Sequence, residues 1–194
     1  MCTLLFLGVS TAHAAKNILI FGDSLSAGYG IAIEQSWPSL LQQELQRTQS
    51  PFTVVNASIS GETTIGGKQR ISKLLQQHRP AIVVVELGAN DGLRGGNLAD
   101  AEENLNAIIA QSLRSKAKVL LIGMQLPPNY GDTYTTKFRE LYPRLAKKHR
   151  ILLLPFLLED VTADQFQRDN LHPVAAAQQH IMLNVLQELK HLLH

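Results

Sequence analysis

Five short stretches of the chain are almost continuously apolar, without the alternation of polar and apolar residues that a half-exposed strand shows. They are NILIF (17–21), FTVVNA (52–57), AIVVVEL (81–87), KVLLIGM (118–124) and ILLLPF (151–156). Strands that are covered on both faces have this composition, which is typical of parallel sheets. The pattern therefore predicts five parallel strands.

The segments between these stretches have the periodicity of amphipathic helices. Helices are predicted at 36–47, 68–79, 98–115, 134–149 and 173–193, and Pro143 is expected to break the fourth. Strands that alternate with helices indicate a three-layer α/β/α sandwich with a five-stranded parallel sheet. Ligands of such folds bind beyond the carboxyl ends of the strands, so the residues there are the first candidates for a site.

Composition narrows the possible partners. The 194 residues suit one domain, and the net charge is only +2, with 18% charged residues. Because no basic stripe is interleaved with aromatic residues, we expect no nucleic-acid partner. No two histidines have the spacing of metal ligands on one helix or strand, so we expect no metal and no other cofactor.

The first fifteen residues differ from the rest, because they contain no Lys, Arg, Asp or Glu. A short apolar core at 3–10 precedes AHA at 12–14, which is a small-x-small cleavage pattern. We interpret residues 1–15 as the end of a signal peptide, cleaved near Ala14 or Ala15, which leaves 16–194 as one periplasmic or secreted domain without stable membrane insertion. The alternative is a cytosolic protein with an apolar N-terminus.

Residues with a candidate polar group, in the side chain or in the backbone amide, follow four of the five predicted strands. They are Asp23 and Ser24, then Gly61, then Asn90, and finally Asp169 and His172. A serine nucleophile needs a base, and the base needs an acid that fixes its tautomer. Asp169 lies three residues before His172, close enough to bind Nδ1 and leave Nε2 free for Ser24. Pro173 is expected to begin the last helix and so to hold His172 at its edge.

Three groups are candidates for stabilising an oxyanion: the amide of Ser24, the amide of Gly61 and the side chain of Asn90. Each residue also has a structural interpretation, because serine often caps helices while glycine and asparagine are common in turns. Asp23 could replace Asp169 as the acid, but we expect it to anchor the turn through backbone N–H groups.

Four motifs, GDSLSAGYG (22–30), SISGETT (58–64), GAND (88–91) and DNLHP (169–173), resemble the four sequence blocks of the SGNH (GDSL) hydrolases. They occur in the family's order, and within the family the chain resembles the bacterial periplasmic thioesterase I, lysophospholipase and arylesterase type. The resemblance implies a flavodoxin-like strand order, 2-1-3-4-5. It also implies that Ser24 is the nucleophile, that Asp169 and His172 are acid and base, and that Ser24, Gly61 and Asn90 form the oxyanion hole.

We therefore expect a monomeric serine esterase that cleaves acyl thioesters, lysophospholipids or aryl esters. An apolar trough for the acyl chain is expected from Leu93, Met124, Leu126 and Tyr130. One alternative is a carbohydrate O-acetylesterase of the same superfamily. Another is a flavodoxin-like phospho-acceptor or binding module, in which Asp23 and Asp91 would hold a divalent metal.

Overall fold

The computed structural model describes residues 16–194, so the proposed signal-peptide residues 1–15 lie outside the described part. The strands are β1 (Lys16–Gly22), β2 (Phe52–Asn56), β3 (Ile82–Glu86), β4 (Lys118–Ile122) and β5 (Leu152–Leu154). They form one parallel sheet in the order β2-β1-β3-β4-β5. Both the five predicted strands and the implied strand order are confirmed.

Seven α-helices cover the sheet within residues 16–194: α1 (Ser24–Ala27), α2 (Trp37–Arg47), α3 (Thr64–His78), α4 (Ala89–Leu93), α5 (Leu98–Arg114), α6 (Asp132–His149) and α7 (Gln178–Leu189). Helices α3, α5 and α6 pack side by side as one layer, while α2 and α7 pack together as the other. The three-layer prediction is therefore confirmed. None of these helices is long and apolar enough to cross a bilayer.

The central strands are buried on both faces, as their sequences predict. Ile18 to Phe21 in β1 and all of β3 lie in the core. Strand β5 is shorter than the predicted 151–156 because Pro155 has no N–H with which to continue the ladder. The chain beyond it is held by a bond from Leu157 N to Gly123 O (3.1 Å).

The expected break at Pro143 is wrong, since α6 continues through this residue to His149. Pro143 and Arg139, whose carbonyl loses its usual N–H donor, are both exposed, so water can satisfy that carbonyl. The opposite side of α6 is anchored in the core by Phe138 and Tyr142, whose rings meet edge to face at 5.6 Å. Burial of that face outweighs the local preference of proline.

The last helix also begins later than predicted. A 3₁₀ turn occupies Ala175–Ala177, and α7 starts only at Gln178. Pro173 does not begin a helix but pairs with Phe166 in an isolated antiparallel bridge. His172 therefore lies in a loop, which is closed by a bond from Gln167 N to His172 O (2.7 Å).

Candidate active site

The turn after β1 presents Ser24 at the carboxyl edge of the sheet. Asp23 caps the short helix α1 by accepting a hydrogen bond from Leu25 N on Oδ1 (3.0 Å). Gly28, in the left-handed region at φ +77°, ends this helix after one turn. A buried strand followed immediately by a capped helical turn therefore fixes the position of the Ser24 backbone.

Ser24, His172 and Asp169 form one hydrogen-bonded row. His172 Nε2 lies 2.8 Å from Ser24 Oγ, across 148 positions of sequence. His172 Nδ1 lies 2.7 Å from Asp169 Oδ2. The structure thus brings together the three residues that sequence reasoning assigned to acid, base and nucleophile.

Asp169 is held by its own loop. Its Oδ1 accepts hydrogen bonds from the backbone N–H groups of Leu171 (2.9 Å) and His172 (3.0 Å). Partial burial opposes ionisation, but these two amides and the imidazole together lower the pKa of Asp169 to about 2. The carboxylate therefore stays charged at neutral pH and accepts from a protonated Nδ1.

Tyr29 packs against the imidazole of His172, with ring centroids 4.5 Å apart. The two residues are also linked through Gln167, whose side-chain amide donates to Tyr29 O (2.9 Å) and whose backbone N–H donates to His172 O. Sequence reasoning missed Tyr29 and Gln167, because no local pattern indicates a contact across more than a hundred positions.

Two backbone amides of residues that line the cleft, Ser24 and Gly61, are available as donors. Within residues 16–194, neither Ser24 N nor Gly61 N donates to a protein acceptor. Gly61 follows β2, has φ +79° and lines the same cleft as Ser24. Its carbonyl accepts a hydrogen bond from Arg94 Nη2 (3.1 Å), which holds the peptide unit between Gly61 and Glu62.

Asn90, the third candidate donor, lies in α4 just after β3. Its Nδ2 donates to Asp23 Oδ2 (3.1 Å) and to Glu62 O (3.0 Å). The loop that contains Glu62 is in turn held by Arg70, whose Nε lies 2.6 Å from Glu62 Oε2. Both N–H groups of Asn90 are therefore engaged, so binding an oxyanion requires one of them to be shared or exchanged.

The two carboxylates considered for a metal site bind protein groups instead. Asp91 accepts from Thr64 N (2.9 Å) and Thr64 Oγ1 (2.7 Å), while Asp23 accepts from Leu25 and Asn90. Among residues 16–194, no group of three potential ligands is placed to hold a metal ion. Burial raises the pKa of Asp23 to about 6, although its hydrogen bonds and the charge of His172 oppose this.

A cleft of about 390 Å³ contains Ser24 and His172. Leu93, Met124 and Leu126, three of the residues expected to form the acyl trough, line it. Tyr130, the fourth of these residues, does not line it, and its hydroxyl donates to Leu93 O (2.8 Å). Further apolar lining comes from residues that sequence reasoning missed: Phe156, Leu158, Phe166 and Leu171. Phe156 was detectable, because it ends the fifth apolar run.

The chain is similar to known proteins in both sequence and fold. The model of the GDSL-like Lipase/Acylhydrolase family matches residues 20–180. An arylesterase from Vibrio mimicus is 45% identical over 193 residues, which cover 97% of this chain and 96% of the relative. Thioesterase 1/protease 1/lysophospholipase L1 from Escherichia coli K12 is 45% identical over 169 residues, or 86% and 80% of the two chains. The crystal structure of TesA superposes with a TM-score of 0.90 at 44% identity, covering 92% of this chain and 100% of that one.

Proposed function

Because the chain belongs to the GDSL-like lipase/acylhydrolase family, we propose that it is a serine hydrolase that cleaves carboxylic esters and thioesters. The observation that carries this proposal is the 2.8 Å contact between His172 Nε2 and Ser24 Oγ, with Asp169 bound to the other ring nitrogen. A hydroxyl, a base and an acid in this order are what a serine needs to become a nucleophile.

The first half of the reaction forms an acyl-enzyme. Ser24 Oγ bonds to the carbonyl carbon while its proton passes to His172 Nε2, and the carbonyl electrons move onto the oxygen. When this tetrahedral intermediate collapses, the C–O or C–S bond breaks. His172 then returns the proton to the departing alcohol or thiol, and the acyl group remains as an ester on Ser24.

The second half hydrolyses that ester. His172 takes a proton from water as the water oxygen bonds to the acyl carbon, and then protonates Ser24 Oγ as the acid leaves. Asp169, which remains ionised, stabilises the imidazolium in both halves and keeps Nε2 as the nitrogen that faces the serine.

The oxyanion that forms in both halves is bound by the amides of Ser24 and Gly61. Each such donor is typically worth about 3–4 kcal/mol of barrier. Asn90 acts as the third donor when one of its N–H groups turns from Glu62 O or Asp23 Oδ2 toward the substrate oxygen.

The apolar lining of the cleft supports an acyl substrate. We propose that Leu93, Met124 and Leu126 bind the acyl chain, with Tyr130 supporting Leu93. The names of the relatives favour aryl esters, thioesters and lysophospholipids as substrates, and we propose that the thioesters are of the acyl-CoA type. An acetyl group would leave most of this lining unused, which argues against a carbohydrate O-acetylesterase.

The cellular setting is also a proposal. Residues 1–15 have the composition of a signal peptide, so we propose that they are removed on export and that 16–194 act as one monomeric domain in the periplasm or outside the cell. N-terminal sequencing of the protein recovered from a bacterial host would test the cleavage near Ala14 or Ala15.

A substrate panel tests the function. The full chain is assayed with p-nitrophenyl esters of two to sixteen carbons, acyl-CoA and lysophospholipid. We expect hydrolysis that favours acyl chains longer than acetyl and that His172→Ala abolishes. His191→Ala, which removes an exposed histidine remote from the cleft, serves as the control. A strong preference for acetyl esters, or full activity of His172→Ala, would contradict the proposal.

A further inference from the structure

Glu86 is an acidic side chain in the core that none of the reaction steps uses. It is the last residue of β3 and has 0% exposure. The turn that carries Ser24 lies directly against it: Asp23 N donates to Glu86 Oε2 (3.2 Å), and so does Ser26 Oγ (2.7 Å). Glu86 thus binds the residues on both sides of Ser24 and nothing at the surface.

No room remains between the Glu86 carboxyl and Gly22 of β1 for an additional side-chain atom. A Cβ on Gly22 would lie only 2.5 Å from Glu86 Oε2 and 2.8 Å from Ser26 Oγ. Glycine at this position therefore allows the carboxyl to approach the turn closely. Such close contact fits a group that positions the turn.

The second carboxyl oxygen of Glu86, Oε1, lies in an unusual environment for an acidic group. Oε1 is completely buried and has no hydrogen-bond partner among residues 16–194. The titratable groups that interact with this side chain are Asp23 beside it and Tyr142 of α6, and neither is a cation. An ionised carboxylate with an unpaired oxygen and no neighbouring positive charge is costly to bury.

If the Glu86 carboxyl is protonated and therefore neutral, no uncompensated charge is buried. Asp23 lies directly beside Glu86, with its backbone N–H on Oε2 (3.2 Å), so its carboxylate is the neighbouring group to which a proton on Glu86 would be donated. Asp23 Oδ2 in turn accepts from Asn90 Nδ2 (3.1 Å). A chain of hydrogen bonds then runs from the core, through Asp23, to the proposed oxyanion donor.

We propose that Glu86 is a positioning residue that acts as a neutral acid, donating its proton to Asp23 and holding the Ser24 turn through Oε2. The inference rests on the proposed hydrolase function, since it assigns Glu86 a role behind Ser24 and Asn90. Burial and the neighbouring Asp23 carboxyl both raise the pKa of Glu86 well above its usual range, which agrees with this state.

Two substitutions separate a neutral acid from an ionised one. Glu86→Leu removes both donor and acceptor and leaves the Asp23 amide and the Ser26 hydroxyl buried without a partner; kcat is expected to fall at least tenfold. Glu86→Gln keeps one accepting oxygen and adds an N–H that can donate to Asp23. We expect it to restore kcat to within about threefold of the unmodified chain, with a similar melting temperature.

The pH dependence of kcat distinguishes the proposed role of Glu86 from a purely structural one, which would leave that dependence unchanged in Glu86→Gln. In the unmodified chain, alkaline pH ionises Glu86 beside Asp23, so kcat should decline there. Glu86→Gln cannot ionise and should keep its kcat to higher pH. Glu102→Gln, which changes a partly exposed acid paired with Arg144, is the matched control and should follow the unmodified chain.

Infrared spectroscopy tests the protonation state without relying on activity. At pH 8 the unmodified chain should show the C=O band of a protonated carboxylic acid, and Glu86→Gln should lack it. The inference would be overturned if the band were absent or if Glu86→Gln lost kcat tenfold. It would also be overturned if kcat declined at the same alkaline pH in Glu86→Gln and in the unmodified chain. A chain that shows the band but hydrolyses no ester would instead contradict the proposed function alone.

Discussion

Replacing Asp169 with asparagine is expected to reverse the tautomer of His172. In the unmodified chain, Asp169 Oδ1 accepts two backbone N–H groups while Oδ2 accepts from His172 Nδ1. Asparagine has one accepting oxygen, and the two fixed backbone donors require it. The NH₂ group must then face Nδ1, which becomes an acceptor, and the imidazole hydrogen moves to Nε2. That nitrogen can no longer take the proton of Ser24.

The size of the effect follows from this loss of the base. In a serine hydrolase with a triad of this kind, the wrong tautomer lowers kcat by about 10⁴, equivalent to about 5.4 kcal/mol of barrier. We expect that loss for Asp169→Asn on a p-nitrophenyl ester, with little change in KM or melting temperature. Asp164→Asn, an exposed acid bonded to the Thr162 hydroxyl, should be unaffected. A kcat for Asp169→Asn within tenfold of the unmodified chain would refute the reasoning.

Three further predictions concern the groups around the triad. Asn90→Ala should lower kcat by about 10²–10³ in the same assay, because it removes an oxyanion donor; an unchanged kcat would exclude that role. Gly61→Ala should lower the free energy of unfolding in urea by about 1–2 kcal/mol, since φ is +79° while the nearest atom to the new Cβ is 3.8 Å away; equal stability would contradict this. Burial raises the pKa of Asp23 from 3.8 to about 6, so the folded state binds an extra proton in that interval. Its contribution to stability should therefore decline as pH rises from about 4 to about 6, a decline that Asp23→Asn should remove.

Much of the fold was predictable because buried parallel strands have a direct sequence signature. Continuous apolar runs identified all five strands, and the residues that follow them include Ser24 and His172, which the structure brings into contact. The errors occurred where local preference competes with packing. Pro143 lies inside a helix because the opposite face is buried, and Pro173 pairs with Phe166 instead of starting α7.

The parts of the site that sequence reasoning missed depend on contacts made only by the folded chain. Glu86 is the one acid within the apolar run 81–87, where it is easily taken for the edge of a strand, and only the packing of β1 against β3 shows that it contacts the Ser24 turn. Tyr29 lies in a glycine-rich turn, and its contact with His172 depends on where a loop far along the chain is placed.

The central claim is that Ser24 forms the covalent acyl intermediate. Treatment of the full chain with a fluorophosphonate, followed by intact-mass and peptide mass spectrometry, tests it most directly. We predict one phosphonyl group per chain, attached to Ser24, with hydrolysis lost in proportion to labelling and no labelling of Ser24→Ala. Modification of a different residue, or full hydrolysis by Ser24→Ala, would contradict the claim.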